Sequence, residues 1–454
     1  MPRCDRISEL PESLITQILL HLPTKDSVKT SVLSTRWKNL WLNVPGLDLN
    51  TTDFSIKTDD FINFINRFLQ FNPESRLHKF KVNYSSYEVH RFKDRIGTVV
   101  NRGIQHLDLQ SNTYYLDDDD LVYPCIEFMP LNLYVSKTLV SLKLSFSGLE
   151  DPGFVSLPCL KTMYLRGVRW HSNGGMNLEK LVSGCPVLEE LIFLRNPNDE
   201  LVVTRVRSRS LKRFCVPALW GEMFRWSSVA HTLEIDAPGL ECMSLKEDQY
   251  DRIVVKNLTC LFMVDLDIKF AGKSFDPEDL SKRNEIRNFL TGISTVRHMI
   301  ISQKTLKALD LYSKVGMIPK FNHLSRLQAL FPSSLLQFLP SFLESFPNLK
   351  HLILNFVYSE PEEMEMEGFE LVDVSRCFVS TLECVEIKGI FEWEENVMEL
   401  VGYFLENAAL LKKLIVSFIG YPLRDPESNV SDIYEELNRL TKLSPSCSIV
   451  LDCE

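Results

Sequence analysis

The sequence predicts a mixed α/β fold in three successive parts: three short N-terminal helices, an irregular solenoid of leucine-bearing strands, and a βαβαβ unit that caps it. Three observations carry this expectation. Aliphatic residues recur at helical spacing between Leu10 and Trp41. A strand outline with aliphatic residues at alternate positions then returns roughly every 20 to 35 residues. The final stretch, from about residue 374, alternates strand-like and helix-like periods.

In the first part, Leu14, Ile15, Ile18, Leu19 and Leu22 form one apolar stripe. Pro11 suits the first turn of that helix, where its missing N–H is not needed, and Pro23 stops it. Thr24 is placed to cap a second helix carrying Val28, Val32 and Leu33. Ser34 is placed to cap a third, with Trp37, Leu40 and Trp41 on one side. Each helix is marginal alone, and a unit of about 40 residues must dock on something to be stable. That something is either the rest of this chain or a partner.

The residues Asp5–Arg6–Ile7, Leu10–Pro11, the Leu22–Pro23–Thr24 turn and the Val32–Leu33–Ser34–x–Arg36–Trp37 run closely resemble a plant-type F-box. The resemblance implies docking on a Skp-type adaptor, and through it on a cullin–RING scaffold, as in an SCF ubiquitin ligase. Carried onto this sequence, it makes Leu10, Pro11, Ile15, Ile18, Leu22, Val28, Val32 and Leu33 the expected adaptor-facing residues. Aliphatic anchors at i, i+3 and i+4 are what helix-in-groove docking uses. Trp37 and Trp41 fit either the adaptor face or the interior of the F-box.

Phe61, Ile62, Ile65, Phe68 and Leu69 then predict a bridging helix. Beyond it, phrases such as IQHLDLQ, LVSLKLSF, LPCLKTMYLRGV, CPVLEELIFL and FPNLKHLILNF share one strand outline. Their spacing is that of leucine-rich repeats, although the asparagine expected after LxxLxLxx is mostly missing. A single strand cannot bury its apolar face, whereas stacked neighbours share a continuous core. MNLEKLVSGCPVLEEL and VSLPCLKTMYLRGVRW also resemble the repeat region of plant F-box proteins with leucine-rich repeats. Cys159 and Cys185 fall on apolar positions and are expected as buried fillers.

In TRVRSRS, Arg205, Arg207 and Arg209 alternate with other residues, so a strand would project all three to one side. Such a row suits an acidic or phosphorylated segment of a target, and equally a solvated edge balancing an acidic chain; the second is the plainer reading. The Asp117–Asp120 run reads as a solvated loop without an EF-hand pattern. Tyr358–Glu370 is glutamate-rich and reads as an exposed linker. After it, Cys377, Thr381–Leu382–Glu383, Leu405–Glu406–Asn407–Ala408 and Leu411–Lys412–Lys413 resemble the FBD domain that ends many plant F-box proteins. The expected division is 1–50 F-box, 51–77 helical connector, 78–357 degenerate leucine-rich repeats, 358–373 acidic linker and 374–454 FBD domain.

Composition limits the function. A net charge of −10 argues against gripping nucleic acid as the main task. The N-terminus has no apolar signal region, and no apolar run approaches the ~18–20 residues that span a bilayer, so an intracellular protein of the nucleus and/or cytoplasm is expected. Eleven scattered cysteines include no CxxC pair and read as reduced thiols, with no metal or cofactor implied. Phosphate-binding, nucleophile-elbow and zinc-protease motifs are absent from the sequence. The leading expectation is a non-catalytic substrate receptor of a ubiquitin ligase, binding a protein target through the repeats. A protein-binding scaffold without ubiquitin transfer, and a ligand-sensing leucine-rich-repeat receptor, are the alternatives.

Overall fold

A computed structural model describes residues 7, 9–54, 58–71, 73, 75–85, 92–112, 128–170, 177–196, 202–218, 230–246, 249–270, 279–357, 371, 373–390, 395–419, 433, 435–437 and 439–453. The chain divides into two compact units, residues 1–214 with 221–227, and residues 215–220 with 228–454.

The first unit begins with α1 (Glu12–Leu20) and α2 (Thr24–Lys29), followed by two 3-10 segments, Thr30–Val32 and Trp37–Asn43. The third helix expected after Ser34 is thus a 3-10 turn. Three residues per turn place Trp37 and Leu40 on one side, and both enter a small core with Ile15, Leu19 and Val44. Thr24 does not cap α2. It is the first residue of that helix, and its buried hydroxyl accepts the Asp48 N–H at 2.8 Å.

Asp48 already lies in a sheet. β1 (Gly46–Asn50) leads through α3 (Thr58–Gln70) to β2 (Lys79–Ser85), then through α4 (Lys93–Asn101) to β3 (His106–Asn112). β4 (Ser141–Ser145), β5 (Gly148–Leu149), β6 (Thr162–Trp170), α5 (Leu178–Ser183), β7 (Glu190–Arg195), β8 (Val203–Arg207) and the start of β9 (Arg213–Val216) complete the unit. The strands β1-β2-β3-β4-β6-β7 pair in parallel in that order. Register aligns Leu47, Phe80, Leu107, Leu142, Met163 and Leu191, all buried, so each strand extends one apolar row. The segment 46–50, expected within the helical part, is therefore the first strand of the sheet. The expected connector helix α3 packs Phe61 against Phe92 beside α4.

In the second unit β10 (Thr232–Asp236) pairs in parallel with β12 (Arg252–Lys256). Its main sheet orders β11 (Cys242–Leu245), β13 (Met263–Leu266), β14 (His298–Ile301), β15 (Arg326–Pro332), β16 (His351–Val357), β17 (Cys384–Ile390), β18 (Lys413–Phe418) and β19 (Ser448–Cys453), all parallel. The connections carry α6 (Leu280–Gly292), α7 (Gln303–Ser313), α8 (Leu339–Leu343), α9 (Arg376–Ser380) and α10 (Glu395–Asn407). Parallel neighbours require such crossovers. The expected βαβαβ end is present as β17, α10, β18, helical residues between 433 and 439, and β19, and it extends the sheet. At the end of β17 the register slips between Ile387 and Ile390, where Gly389 adopts φ +81°; a Cβ there would stand 2.7 Å from the Phe356 carbonyl oxygen.

Cys185 is buried as expected, but Cys159 is exposed, because it lies in the turn between Leu157 and Leu160 rather than on an inward position. The Asp117–Asp120 run and Tyr358–Glu370 lie outside the described residues. No helix among the described residues is long and apolar enough to cross a membrane.

Candidate functional site

Helix α1 is apolar on two sides. Ile15 and Leu19 point inward; Ile15 is 0% exposed and packs in the core with Trp37, Leu40 and Val44. On the other side, Leu14, Ile18 and Leu22 stand four residues apart and are 45, 49 and 38% exposed. In the same N-terminal part of the unit, Val32 is 85% and Leu33 65% exposed after α2. Pro11 is exposed, while Leu10 and Val28 are half-buried.

Of the eight residues expected to face an adaptor, Ile15 is corrected: it is core. A side chain with no exposed area offers nothing to a partner unless the helices unfold. Leu10 lies partly against the same core, and its carbonyl accepts from the Arg36 guanidinium. Leu14 and Ile7, 45 and 58% exposed, lie outside the expected set. The sequence signal for Leu14 is its four-residue spacing to Ile18. The competing pair Ile15 and Leu19 has the same four-residue spacing, so spacing alone does not say which set is buried.

Two contacts tie these helices to each other and to the rest of the unit. The Ser27 hydroxyl donates to the Leu19 carbonyl at 3.0 Å, tying α2 to α1. Trp37 is buried, and Trp41 is half-buried with its ring stacked on Phe64 of α3, centroids 6.0 Å apart. The tryptophans thus act as interior and as the joint to the following helix.

The arginine row is only partly formed. Arg205 and Arg207 lie on β8, but both approach Glu179 of α5, at 4.0 and 2.8 Å. Arg209 falls beyond the end of the strand and is exposed. Two of the three guanidinium groups therefore already face a carboxylate within the unit.

In the second unit, His351, Cys384 and Glu386 form the one group among the described residues whose side chains could together ligate a metal. Their donor state disfavours one. Arg326 lies 2.8 Å from His351 Nδ1, and His351 Nε2 lies 2.6 Å from Glu386. The guanidinium can only donate, so Nδ1 accepts and Nε2–H donates, which leaves no ring lone pair for a cation. Lys388 stands 3.1 Å from Glu386 and adds positive charge. Burial raises the Glu386 carboxyl, but hydrogen bonds from Lys388 and His351 outweigh it and hold the group below its ordinary value. Burial pushes the Cys384 thiol up, with Glu386 adding to it, so a cation would have to displace a proton there. The cluster is a polar network on the sheet face.

Comparison with known proteins agrees with this anatomy. The family model described as F-box domain matches residues 7–48. One described as the LRR repeats of FBD-associated F-box protein At5g56370 matches 94–264, and FBD matches 370–416. The chain is 70% identical over its whole length to F-box/FBD/LRR-repeat protein At1g13780 of Arabidopsis thaliana, covering 99% of that protein. It is 64% identical to FBD-associated F-box protein At5g27750 of the same plant, with both chains fully covered. A more distant relative, F-box/FBD/LRR-repeat protein At1g78750, is 38% identical over 98% of this chain and 96% of its own. With its helical N-terminus, parallel repeat sheet and C-terminal extension all matched in order, the chain belongs to the F-box/FBD/LRR-repeat proteins.

Proposed function

We propose that this protein is a substrate-recognition subunit of an SCF-type ubiquitin ligase, in which the N-terminal helices bind a Skp-type adaptor and the repeats bind a target protein. The observation that carries the reading is that Leu14, Ile18, Leu22, Val32 and Leu33, all within the F-box, are aliphatic and exposed. Together these residues leave the equivalent of roughly three aliphatic side chains in water. Covering them is worth about 4–8 kcal/mol before the cost of association. Catalysis then belongs to other subunits, and this chain contributes proximity by holding target lysines near the charged ubiquitin carrier.

The test is co-purification with a Skp-type adaptor. Wild type is expected to form a stoichiometric complex, and Ile18→Asp combined with Leu33→Asp to abolish it without unfolding the sheet. Leu10 is a poor probe because it also supports the core. An adaptor complex that takes up no cullin favours the scaffold reading; no adaptor binding by wild type refutes the assignment.

A further inference from the structure

The starts of strands β14 to β18 form a line of charge that the receptor reading does not use. Backbone hydrogen bonds set the line: Ser325 N–H donates to Arg297 O at 2.9 Å, Lys350 to Ser325 at 3.0 Å, Glu383 to Lys350 at 2.9 Å, and Lys412 to Glu383 at 2.8 Å. One residue on, the register runs His298, Arg326, His351, Cys384, Lys413. Arg297, Arg326, Lys350, Lys412 and Lys413 are all exposed along this edge. Against these five cations stands one edge carboxylate, Glu383, which Lys412 and Lys350 approach at 2.6 and 3.9 Å. Arg297, Arg326 and Lys413 have no carboxylate within ion-pair distance among the described residues.

A local positive excess on a chain of net charge −10 is unexpected from composition. The field is felt nearby: burial first, and Arg326 second, push the His298 imidazole below its ordinary value. Two residues further along the same strand faces, the register runs Ile300, Gln328, Ile353, Glu386, Ile415, Val450. Of these Ile353 is buried, Gln328 and Glu386 are polar, and Ile300, Ile415 and Val450 are half-buried, so Arg326 and Lys413 share a face with a few partly open aliphatic side chains.

We propose that this edge is a docking strip for an extended acidic segment of a partner protein, with carboxylates facing the cations and aliphatic side chains facing the half-buried Ile300 and Ile415; this rests on the receptor reading above. From β14 to β18 is about 19 Å, a length that roughly six extended residues cover. Alternation in such a segment sends successive side chains to opposite sides, one toward each row. Nucleic acid fits less well. It has nothing to offer the isoleucines, and Glu383 and Glu386 repel a phosphate backbone.

The test uses the full chain and fluorescence anisotropy with three labelled probes: a peptide of about ten alternating glutamate and valine residues, its glutamine counterpart, and single-stranded DNA of similar length. The glutamate peptide is expected to bind best. Arg326→Glu with Lys413→Glu is expected to weaken it about tenfold or more, while Lys25→Glu in the first unit leaves it unchanged. Arg326→Gln with Lys413→Gln serves if charge reversal lowers the melting temperature, and is expected to weaken binding in the same sense. Equal binding of the glutamate and glutamine peptides, DNA binding as tight as the peptide, or binding indifferent to both double variants overturns the proposal. Adaptor co-purification is scored on the same preparations. A chain that takes up adaptor but ignores the acidic peptide refutes the strip alone, and one that does the reverse refutes the receptor reading alone.

Discussion

Ile15 and Ile18 lie three residues apart on α1 and are expected to fail in opposite ways. Ile18 is 49% and Leu33 65% exposed. Fully burying an aliphatic side chain is worth about 1.5–3 kcal/mol, so their free fractions supply about 0.7–1.5 and 1–2 kcal/mol to an interface. Replacing both with alanine removes most of that, about 2 kcal/mol or roughly thirtyfold in Kd. Replacing both with aspartate also forces two carboxylates out of water, and the loss is expected to exceed about a thousandfold. Neither residue belongs to the N-terminal core cluster, so the melting curve is expected to fall by only a few degrees, from the loss of their buried parts. Ile15→Ala instead opens a cavity beside Trp37 and Leu40 and costs about 2–5 kcal/mol, seen as lost hydrogen-exchange protection in α1. The assay is calorimetric titration with purified Skp-type adaptor, paired with exchange on the free chain. Adaptor affinity of the double aspartate variant within threefold or so of wild type would refute the assigned face. So would Ile15→Ala abolishing binding while α1 stays fully protected.

Three further outcomes follow from particular contacts. Gly389→Ala forces a Cβ toward the Phe356 carbonyl at a positive φ and is expected to cost about 1–3 kcal/mol in thermal unfolding; an unchanged midpoint would mean the bulge relaxes freely. Burial pushes the Cys185 and Cys377 thiols up to about 12, so both are expected to resist a thiol reagent at pH 8 until the chain unfolds, whereas exposed Cys159 and Cys260 react at once. Because the Glu386 carboxyl is held below its ordinary value of 4.5, its contribution is full above that pH and is lost as pH falls through the folded value. Glu386→Gln should therefore flatten the acid limb of the stability curve below about pH 5, and an acid limb as steep as wild type would refute this.

The repeat sheet was legible because its signal is redundant. Leu107, Leu142, Met163 and Leu191 each occupy the same place in a strand outline, and the stacked rows repeat one decision many times. The C-terminal β-α-β order was legible for the same reason. The N-terminal helices carry no such redundancy. On α1 two apolar sets share one period, and only the position of Trp37 and Leu40 decides that Ile15 rather than Leu14 is interior. Thr24 reads as a helix cap from local chemistry, yet its hydroxyl is taken by Asp48, a partner 24 residues away. Arg205 and Arg207 were visible as a row, but Glu179, which faces them from α5, was not. The edge cations of β14 to β18 are dispersed over more than a hundred residues of sequence and become neighbours only through register.

The Thr24–Asp48 bond has a consequence for how a receptor of this kind would work. With Lys25 also 3.0 Å from Asp53, and Leu20 occupying the space a side chain at Gly46 would need, the helices and the first strands leave no slack between them. On the proposed function, a cargo gripped by the first unit's repeats would be carried on a stiff arm rather than a leash. Which of its lysines come within range is decided by the pose in which it sits, not by how far it can wander. Splicing a glycine–serine spacer between Pro45 and Gly46 would convert the arm to a leash, broadening the set of modified lysines while slowing each one.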